Sequence, residues 1–312
     1  MGRVNRVLVP GASAPAGINT IKSLKMAGFG GRILATDSDP LSAGFHMAHE
    51  FCVMPLVKDE DAFVDRLFQV VKQHGVDLLM PSSGHDIYVY SKYRAELEGM
   101  GAVAVVSDPD RLEICRDKLR TYDFLKAGFR LPFTTIDPKE AGKFPIIAKP
   151  RFGKGSRDVI KVGNESELQY VASQFKDMIF QEFLPGTEYT VDVLSDLDGN
   201  AVLAVPRIRL QTKEGISTKG KVVRYPLLEQ ECMKMAEAVG IRGPCCIQMK
   251  ESGEGELKLV EINPRMGGGT IFAALAGANL PAMIIAMAEG KKISPPDISE
   301  ITVVRYFEEI VV

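Results

Sequence analysis

Apolar positions follow two alternating patterns over the first third of the chain. RVLVP (6–10) and RILATDSD (32–39) are short apolar runs of strand length, the second ending in two acids. Helical stripes lie between and after them. INTIKSLKMAG (18–28) follows the turn GASAPAG, and DAFVDRLFQVVKQHG (61–75) gathers Phe63, Leu67, Val70 and Val71 on one helix face. DLLMPSS (77–83) reads as a third strand, DIYVYSKYRAELEGMG (86–101) as one helix and AVAVVSD (102–108) as a fourth strand. Strands alternating with helices over short connections predict a parallel sheet with right-handed crossovers.

The pattern changes near residue 110. DPDRLEICRDKLRTYDFLKAGFRLP (108–132) predicts two short helices and a turn. FPIIAKP (144–150), RFGKGSRD (151–158) and VIKVG (159–163) read as a strand, a glycine-containing loop and a returning strand. NESELQYVASQFKD (164–177) is a helix with Asn164 as its N-cap and Glu167 three residues on, a capping-box pairing. After the strand MIFQEFLPG (178–186), strands dominate: a hairpin around Asp198-Gly199-Asn200 and a second in CCIQMKESGEGELKLVEINP (245–264). A single long apolar helix (271–290) and a last strand (301–312) are expected to close the chain, with no internal repeat.

Composition narrows the class. Of 312 residues, 46% are hydrophobic and 25% charged, an ordinary globular balance with enough chain for two or three cores. Lys plus Arg is 38 and Asp plus Glu is 40, so the formal charge is 38 − 40 = −2 and gives no reason to expect nucleic acid or membrane binding. Cys52, Cys115, Cys232, Cys245 and Cys246 form no C-x-x-C pair, which predicts buried thiols in a reducing cytoplasm rather than disulfides or zinc. No apolar run approaches the ~18–20 residues of a membrane span, and the N-terminal run is too short for a signal segment.

The chemistry begins in LKLVEINPRMGGGT (257–270). Two-residue alternation sets Leu257, Leu259, Glu261 and Asn263 on one face and Lys258, Val260 and Ile262 on the other. A four-residue turn at 252–255 puts position 248 opposite 259, so Gln248 shares the Glu261 face at a diagonal of ~7–8 Å. One carboxylate and two amides make a poor zinc site and a good magnesium site, because Mg²⁺ takes hard oxygens and completes its octahedron with phosphate and water. A half-exposed hairpin with its polar face in water alternates in the same way.

Other residues add to it. Lys149 ends the apolar strand 146–148, where a desolvated ammonium calls for an anion, and Gly153 and Gly155 follow in a loop whose backbone N–H groups can approach phosphate. The loop is not a Walker A motif: Ala148 stands at the first glycine position and Gly155 follows Lys154. An ordinary β-turn is the alternative. Asp117-Lys118 lies in the short-helix stretch, Glu182 and Leu184 precede a Pro-Gly break, and Glu188 opens the next strand. Arg207 and Arg209 share a strand face, suited to forked recognition of carboxylate or phosphate, or to a solvated basic strand.

In this order (Asp117-Lys118, Lys149 with its glycine loop, Gln181-Glu182-Phe183-Leu184 with Glu188, Gln248, then Glu261-Ile262-Asn263-Pro264-Arg265) the chain resembles the ATP-grasp superfamily. Within it the likeness is to one synthetase unit of the carbamoyl-phosphate synthase large subunit, whose metal strand ends in a similar E-x-N-P-R. The resemblance implies an α/β (α+β overall) ATP-grasp fold. Its parts would be a parallel α/β pre-ATP-grasp domain at 1–110, a small lid subdomain at 111–182 and an antiparallel-sheet metal- and substrate-binding subdomain at 183–312.

It also implies roles. Lys118 and Lys149 would hold the α- and β-phosphates of ATP, with Gly153, Gly155 and Ser156 closing over the γ-phosphate. Glu182 and Leu184 would meet adenine and Glu188 the ribose. Gln248, Glu261 and Asn263 would hold one or two Mg²⁺, or Mn²⁺, and Arg265 would stabilise the transferring phosphoryl group. Arg207, with Arg209, is the candidate clamp for the acceptor carboxylate. The implied enzyme is a cytoplasmic ligase that activates a small carboxylate as an acyl phosphate for attack by an amine, with a homodimer left open. One unit in place of a tandem pair favours a stand-alone ligase over carbamoyl phosphate synthesis as the expectation.

Two other readings stand beside this one. A non-catalytic ATP-binding regulator would keep the nucleotide residues, although adenine binding alone needs no metal-holding strand. An NAD-binding oxidoreductase would use Gly11, Gly17 and the acids Asp37 and Asp39, but Ser13 and Pro15 interrupt the dinucleotide fingerprint. His46, His49 and Glu50 have helical metal-ligand spacing and are expected to be a packed or surface helix instead.

Overall fold

Three sheets divide the chain between them in the computed structural model, which describes residues 2–153, 155 and 157–312. The first is wholly parallel. It contains β1 (Arg6–Pro10), β2 (Arg32–Asp37), β3 (Glu50–Val53), β4 (Leu78–Leu79) and β5 (Val103–Ala104), in the spatial order β3-β2-β1-β4-β5. Helices α1 (Pro15–Met26), α2 (Ala43–Met47), α3 (Glu60–His74), α4 (Asp86–Lys92) and α5 (Arg94–Gly99) supply the connections.

The second sheet is small and antiparallel. After α6 (Pro109–Arg116) and α7 (Lys118–Leu125) come β6 (Thr134–Thr135), β7 (Ile146–Pro150), β8 (Ile160–Val162), α8 (Glu165–Gln174) and β9 (Met178–Glu182), ordered β6-β9-β7-β8. The Asn164 side chain accepts from Glu167 N–H and Glu167 accepts from Gly163 N–H, so the α8 cap forms as its sequence predicts.

The third sheet holds β10 (Glu188–Ser195), β11 (Ala201–Lys213), β12 (Ile216–Val222), β13 (Gly243–Glu251), β14 (Leu257–Asn263) and β15 (Ile301–Val304). Its order is β14-β13-β10-β11-β12-β15, with α9 (Pro226–Val239) packed on one face. Helices α10 (Thr270–Leu275) and α11 (Leu280–Ala288) lie on the other. There Phe272 and Ile284 share one core with Val7, Val9 and Ile33 of the first sheet and with Val205 and Val222 of the third. The third sheet is thereby packed against the N-terminal sheet through these helices. No helix among the described residues is long and apolar enough to cross a membrane.

Four expectations are corrected. The long apolar helix is two, because Gly277 adopts φ +113° and Asn279 caps a fresh start by accepting from Ala282 N–H. The 86–101 helix likewise breaks at Tyr93 into α4 and α5. His46, His49 and Glu50 do not share a helix: α2 stops at Met47, His49 Nδ1 accepts from Ile33 N–H, and Glu50 begins β3. The last strand covers only residues 301–304, and β3, β6, β12 and α9 are elements the pattern did not bring out.

The first turn of α1 lies on the β1 loop so closely that a Cβ at Gly17 would sit 2.2 Å from the Gly11 carbonyl oxygen. Asp37 braces the same loop by accepting from Ser13 N–H and Oγ–H. Gly17→Ala is therefore expected to lose about 1–3 kcal/mol by overpacking. Gly128→Ala, with nothing within 4 Å of the added carbon, should stay within ~0.5 kcal/mol of the parent in a denaturant titration. Equal midpoints for the two variants would contradict the close contact.

Candidate functional site

The site is built around an irregular hairpin. Ser252 N–H donates to Glu256 O, making a five-residue connection between β13 and β14 where four were expected. Register then runs Glu251↔Leu257, Lys250↔Lys258 and Met249↔Leu259, and jumps to Gln248↔Glu261 at a bulge that leaves Val260 unpaired. The longer loop and the bulge each add one residue, so Gln248 stands opposite Glu261 rather than 259. Its Nε2 donates to Glu261 Oε1 at 2.8 Å, not across a diagonal.

The bulge also corrects the facing. Leu259 and Ile262 are 4% and 2% exposed in the core beneath α9, while Glu261, Asn263 and Gln248 look into the cleft. Asn263 Nδ2 donates to the same Glu261 oxygen at 2.9 Å. The two amide oxygens are held from outside, Gln248 Oε1 by Arg209 at 3.0 Å and Asn263 Oδ1 by Arg265 at 3.2 Å. Among the described residues no group of three His, Cys, Asp or Glu side chains is arranged to hold a metal. A hard cation fits this set nonetheless: one carboxylate flanked by two amides, each within a half-turn of offering its oxygen, with the remaining ligands left to phosphate and water.

Two lysines approach it, one from the small sheet and one from α7. Lys149 is 5% exposed at the end of β7, and its Nζ lies 3.4 Å from the carbonyl that the bulge frees at Val260. Burial pushes its pKa down to about 8, against the pull of Glu261. Lys118, the first residue of α7, donates to Gly153 O at 3.0 Å, and burial lowers its pKa too, with Glu261 and Asp117 opposing. Asp117 caps α7 and takes both arms of Arg151, at 2.7 and 2.5 Å, fixing the helix against the glycine loop. Burial disfavours that carboxylate, but Arg151 and the α7 N–H groups outweigh it and keep its pKa below the usual range. Gly155 lies against Gly215 at the tip of the β11–β12 hairpin; Ser156 lies outside the described residues.

Between these walls runs a narrow crevice, partly open to solvent, with a cavity volume of only about 20 Å³ and lined in part by Lys118, Thr121, Leu131, Gln181, Leu259 and Glu261. Glu182 stands nearby, accepting from Lys258 Nζ at 2.8 and 2.9 Å and from Phe133 N–H at 3.2 Å. Leu184 is buried in the turn that follows. Glu188 pairs with Arg209 at 2.5 Å, and Arg209 Nη2 reaches Gly215 O at 2.8 Å, joining the hairpin tip to Gln248.

Arg207 and Arg209 do not form the expected clamp. Arg209 is taken up by Glu188 and Gln248, whereas Arg207 turns to Asp192 (3.2 Å) and Ser217 (3.3 Å), with Gly269 packed on its guanidinium. The arginine that shares its surroundings is Arg305, which the sequence reading missed. Both guanidinium groups lie over the Phe272 ring, at 5.8 and 5.0 Å, and Arg305 donates to Gly268 O at 2.5 Å. Burial and the neighbouring Arg207 lower the Arg305 pKa to about 10. Asp192 and Lys258 were missed as well. Asp192 lies between Val191 and Val193 on a buried strand, a signal like the one that singled out Glu261, and was open to the same inference. Arg265 reaches Asn263 and the Met266 carbonyl and lies beside Gly84, in the loop after β4.

Comparison with known proteins adds an independent line. Residues 174–310 match the family described as ATP-grasp in the biosynthetic pathway with Ter operon, and residues 12–106 match the PylC-like N-terminal domain. The chain is 25% identical over 245 residues to a carbamoyl-phosphate synthase from Methanobrevibacter smithii, covering 72% of this chain and 66% of that protein. It is 31% identical over 125 residues to a D-alanine–D-alanine ligase from a Thermotoga species, covering 37% and 41%. It thus spans less than two thirds of either relative. Its fold is similar to the biotin carboxylase domain dimer of 2-oxoglutarate carboxylase from Hydrogenobacter thermophilus, solved with MgADP, ADP and bicarbonate. That likeness has a TM-score of 0.71 at 17% identity, covering 95% of this chain and 72% of the other.

The Arg207–Asp192 pair is 4% and 1% exposed by side chain, so removing one partner strands a buried charge. Asp192→Ala is expected to cost about 3–5 kcal/mol of stability. A loss below ~1 kcal/mol in chemical denaturation would show that solvent reaches Arg207 freely.

Proposed function

We propose that this chain, which belongs to the ATP-grasp superfamily and is similar to carbamoyl-phosphate synthases, is an ATP-dependent ligase joining a small carboxylate to an amine. The observation that carries this is the bulged hairpin, which sets Gln248, Glu261 and Asn263 across a crevice from Lys149 and Lys118. Lys118 and Lys149 hold the α- and β-phosphates, and the loop with Gly153 and Gly155 closes over the γ-phosphate. Glu182 and the backbone at Leu184 meet the adenine edge; Glu188, shared with Arg209, takes the ribose. Gln248, Glu261 and Asn263 hold one or two Mg²⁺, for which Mn²⁺ can substitute. When bound, the metal neutralises phosphate charge.

Phosphoryl transfer needs positioning and charge neutralisation more than a protein nucleophile. Arg265 stabilises the phosphoryl group as it passes to the acceptor carboxylate, leaving ADP and an acyl phosphate. Attack of the amine on the acyl carbon then forms the C–N bond and expels phosphate. The acceptor carboxylate is held by Arg207 and by Arg305, whose charges exceed that of the single buried acid beside them, Asp192. In this assignment residues 1–110, 111–182 and 183–312 form the pre-ATP-grasp domain, the lid and the metal- and substrate-binding subdomain. The enzyme acts in the cytoplasm, where its five free thiols stay reduced. Its assembly is a homodimer, as in the carboxylase domain dimer.

Glu261→Ala and Lys149→Ala are each expected to abolish ADP formation across a panel of carboxylates and amines while leaving the circular dichroism unchanged. Turnover like the parent's in either variant would contradict the assignment.

The Lys149 ammonium supplies a second test. With its pKa lowered to about 8 in the ligand-free chain, it is charged below that pH and neutral above, and phosphate favours the charged form. ATP binding at pH 8 is therefore expected to take up roughly half a proton, and affinity to fall as pH rises further. Calorimetry in buffers of different ionisation enthalpy measures the uptake. An uptake undiminished in Lys149→Met would assign it to another group.

A further inference from the structure

The parallel sheet carries a second cluster at the opposite end of its strands from the ligase site. Arg6, Arg32 and Glu50 are the first residues of β1, β2 and β3, and His74 is the last residue of α3. Glu50 Oε2 lies 2.8 Å from His74 Nδ1, while its other oxygen pairs with Arg32 and lies 3.5 Å from Arg6 Nη2. Arg6 Nη1 also donates to the His74 carbonyl, tying down the end of the helix. With Nδ1–H donating to Glu50, the imidazole presents the bare Nε2 on its other side. Cys52 Sγ is 3.4 Å from that nitrogen.

A thiol, an imidazole and a carboxylate in that order form the arrangement in which a nucleophile is relieved of its proton by an oriented base. None of these groups belongs to the nucleotide crevice. All five cysteines are free and buried, but among the described residues Cys52 is the one whose sulfur lies within hydrogen-bond reach of an imidazole. The His74 and Glu50 side chains are each about a quarter exposed and Cys52 is 8% exposed, so solvent meets the cluster chiefly at the imidazole and the carboxylate. From this geometry we propose that Cys52, with His74 as its base and Glu50 orienting the ring, is a thiol-modification site that takes small disulfides.

The step balances without any oxidant beyond the disulfide itself. Cys52 Sγ attacks one sulfur of the disulfide as its proton moves to His74 Nε2. The S–S bond breaks, and the departing sulfur leaves with the electron pair as a thiolate. That thiolate is protonated from the imidazolium or from water. The products are a mixed disulfide on Cys52 and one free small thiol; Cys52 sulfur is oxidised and the departing sulfur reduced. The charged groups around Cys52 are Glu50 and His74 with Arg6, Arg32 and Arg66. Burial, with Glu50, raises the thiol pKa and Arg66 opposes it, so the resting sulfur is protonated and an adjacent base is required.

The probe is the aromatic disulfide dithiobis(nitrobenzoate), whose released thiolate is coloured, added to the intact chain without denaturant. A single fast-reacting thiol is expected, lost in Cys52→Ser. With the imidazole taking the thiol's proton, its rate should climb less steeply with pH than ionisation of the thiol alone would give. His74→Gln should slow it about 100-fold at neutral pH and leave a rate that climbs with pH throughout, following the thiol's own ionisation. Glu50→Gln, which keeps the shape of the side chain, should give a smaller slowing with the parent's dependence on pH retained. A purely structural cluster would leave the profile unchanged on either substitution. The proposal is overturned if no thiol reacts rapidly in the folded parent, if the fast thiol survives in Cys52→Ser, or if His74→Gln keeps the parent's rate and profile.

Discussion

Leu259 and Ile262 are three residues apart on one strand and both are buried, which a regular two-residue alternation does not allow. The bulge at Val260 reconciles them, and the rest of the site follows from it. Without it, keeping Leu259 in the core would turn Glu261 and Asn263 into the same apolar layer, where an unpaired carboxylate is costly. With it, the apolar side chains stay beneath α9 while the polar ones cross to the cleft. The carbonyl left outside the ladder then points at the Lys149 ammonium. One inserted residue therefore serves packing, hydrogen bonding and charge placement together.

The cleft is a chain of charges each answered by a neighbour. Glu261 is satisfied by two amides, those amides by Arg209 and Arg265, and Arg209 by Glu188. Among the described residues, Lys149 and Lys118 have only carbonyl acceptors within hydrogen-bond distance, and both have pKa values lowered by burial. The buried Lys149 ammonium and the half-buried Lys118 ammonium, neither with a carboxylate in contact among the described residues, form an electropositive stretch of the cleft wall. A polyanion is the ligand such a wall stabilises most. The Arg207–Asp192 pair is different in kind: it is nearly closed off from solvent and leaves Arg305 as the additional positive charge beside the glycine loop 267–269.

Much of this was legible from residues alone, because it rests on local rules. The strand–helix alternation of the first sheet, the α8 cap, and Lys149 at the end of an apolar strand each follow from a few neighbouring positions. That Gln248, Glu261 and Asn263 gather as one oxygen-bearing set was legible too, from residue type. Its geometry was not, since a five-residue turn and a bulge differ from regular pairing by single residues that composition does not register. The break at Gly277 was hidden by apolar residues on both sides, and Arg305 by its place in a stretch whose only signal was strand alternation. The pairing of Arg207 with Asp192 depends on three-dimensional neighbours, so two arginines on one face read as a clamp although they answer different acids.

The central claim is that the bulged hairpin seats a divalent cation against a nucleotide. Anomalous diffraction from crystals grown with Mn²⁺ and a non-hydrolysable ATP analogue tests it most directly. A manganese peak bridging the phosphates and the Glu261 carboxylate, with Gln248 and Asn263 oxygens turned toward it, is the expected result. An ordered nucleotide whose manganese lies away from all three side chains, or a hairpin that meets only bulk water, would contradict the account.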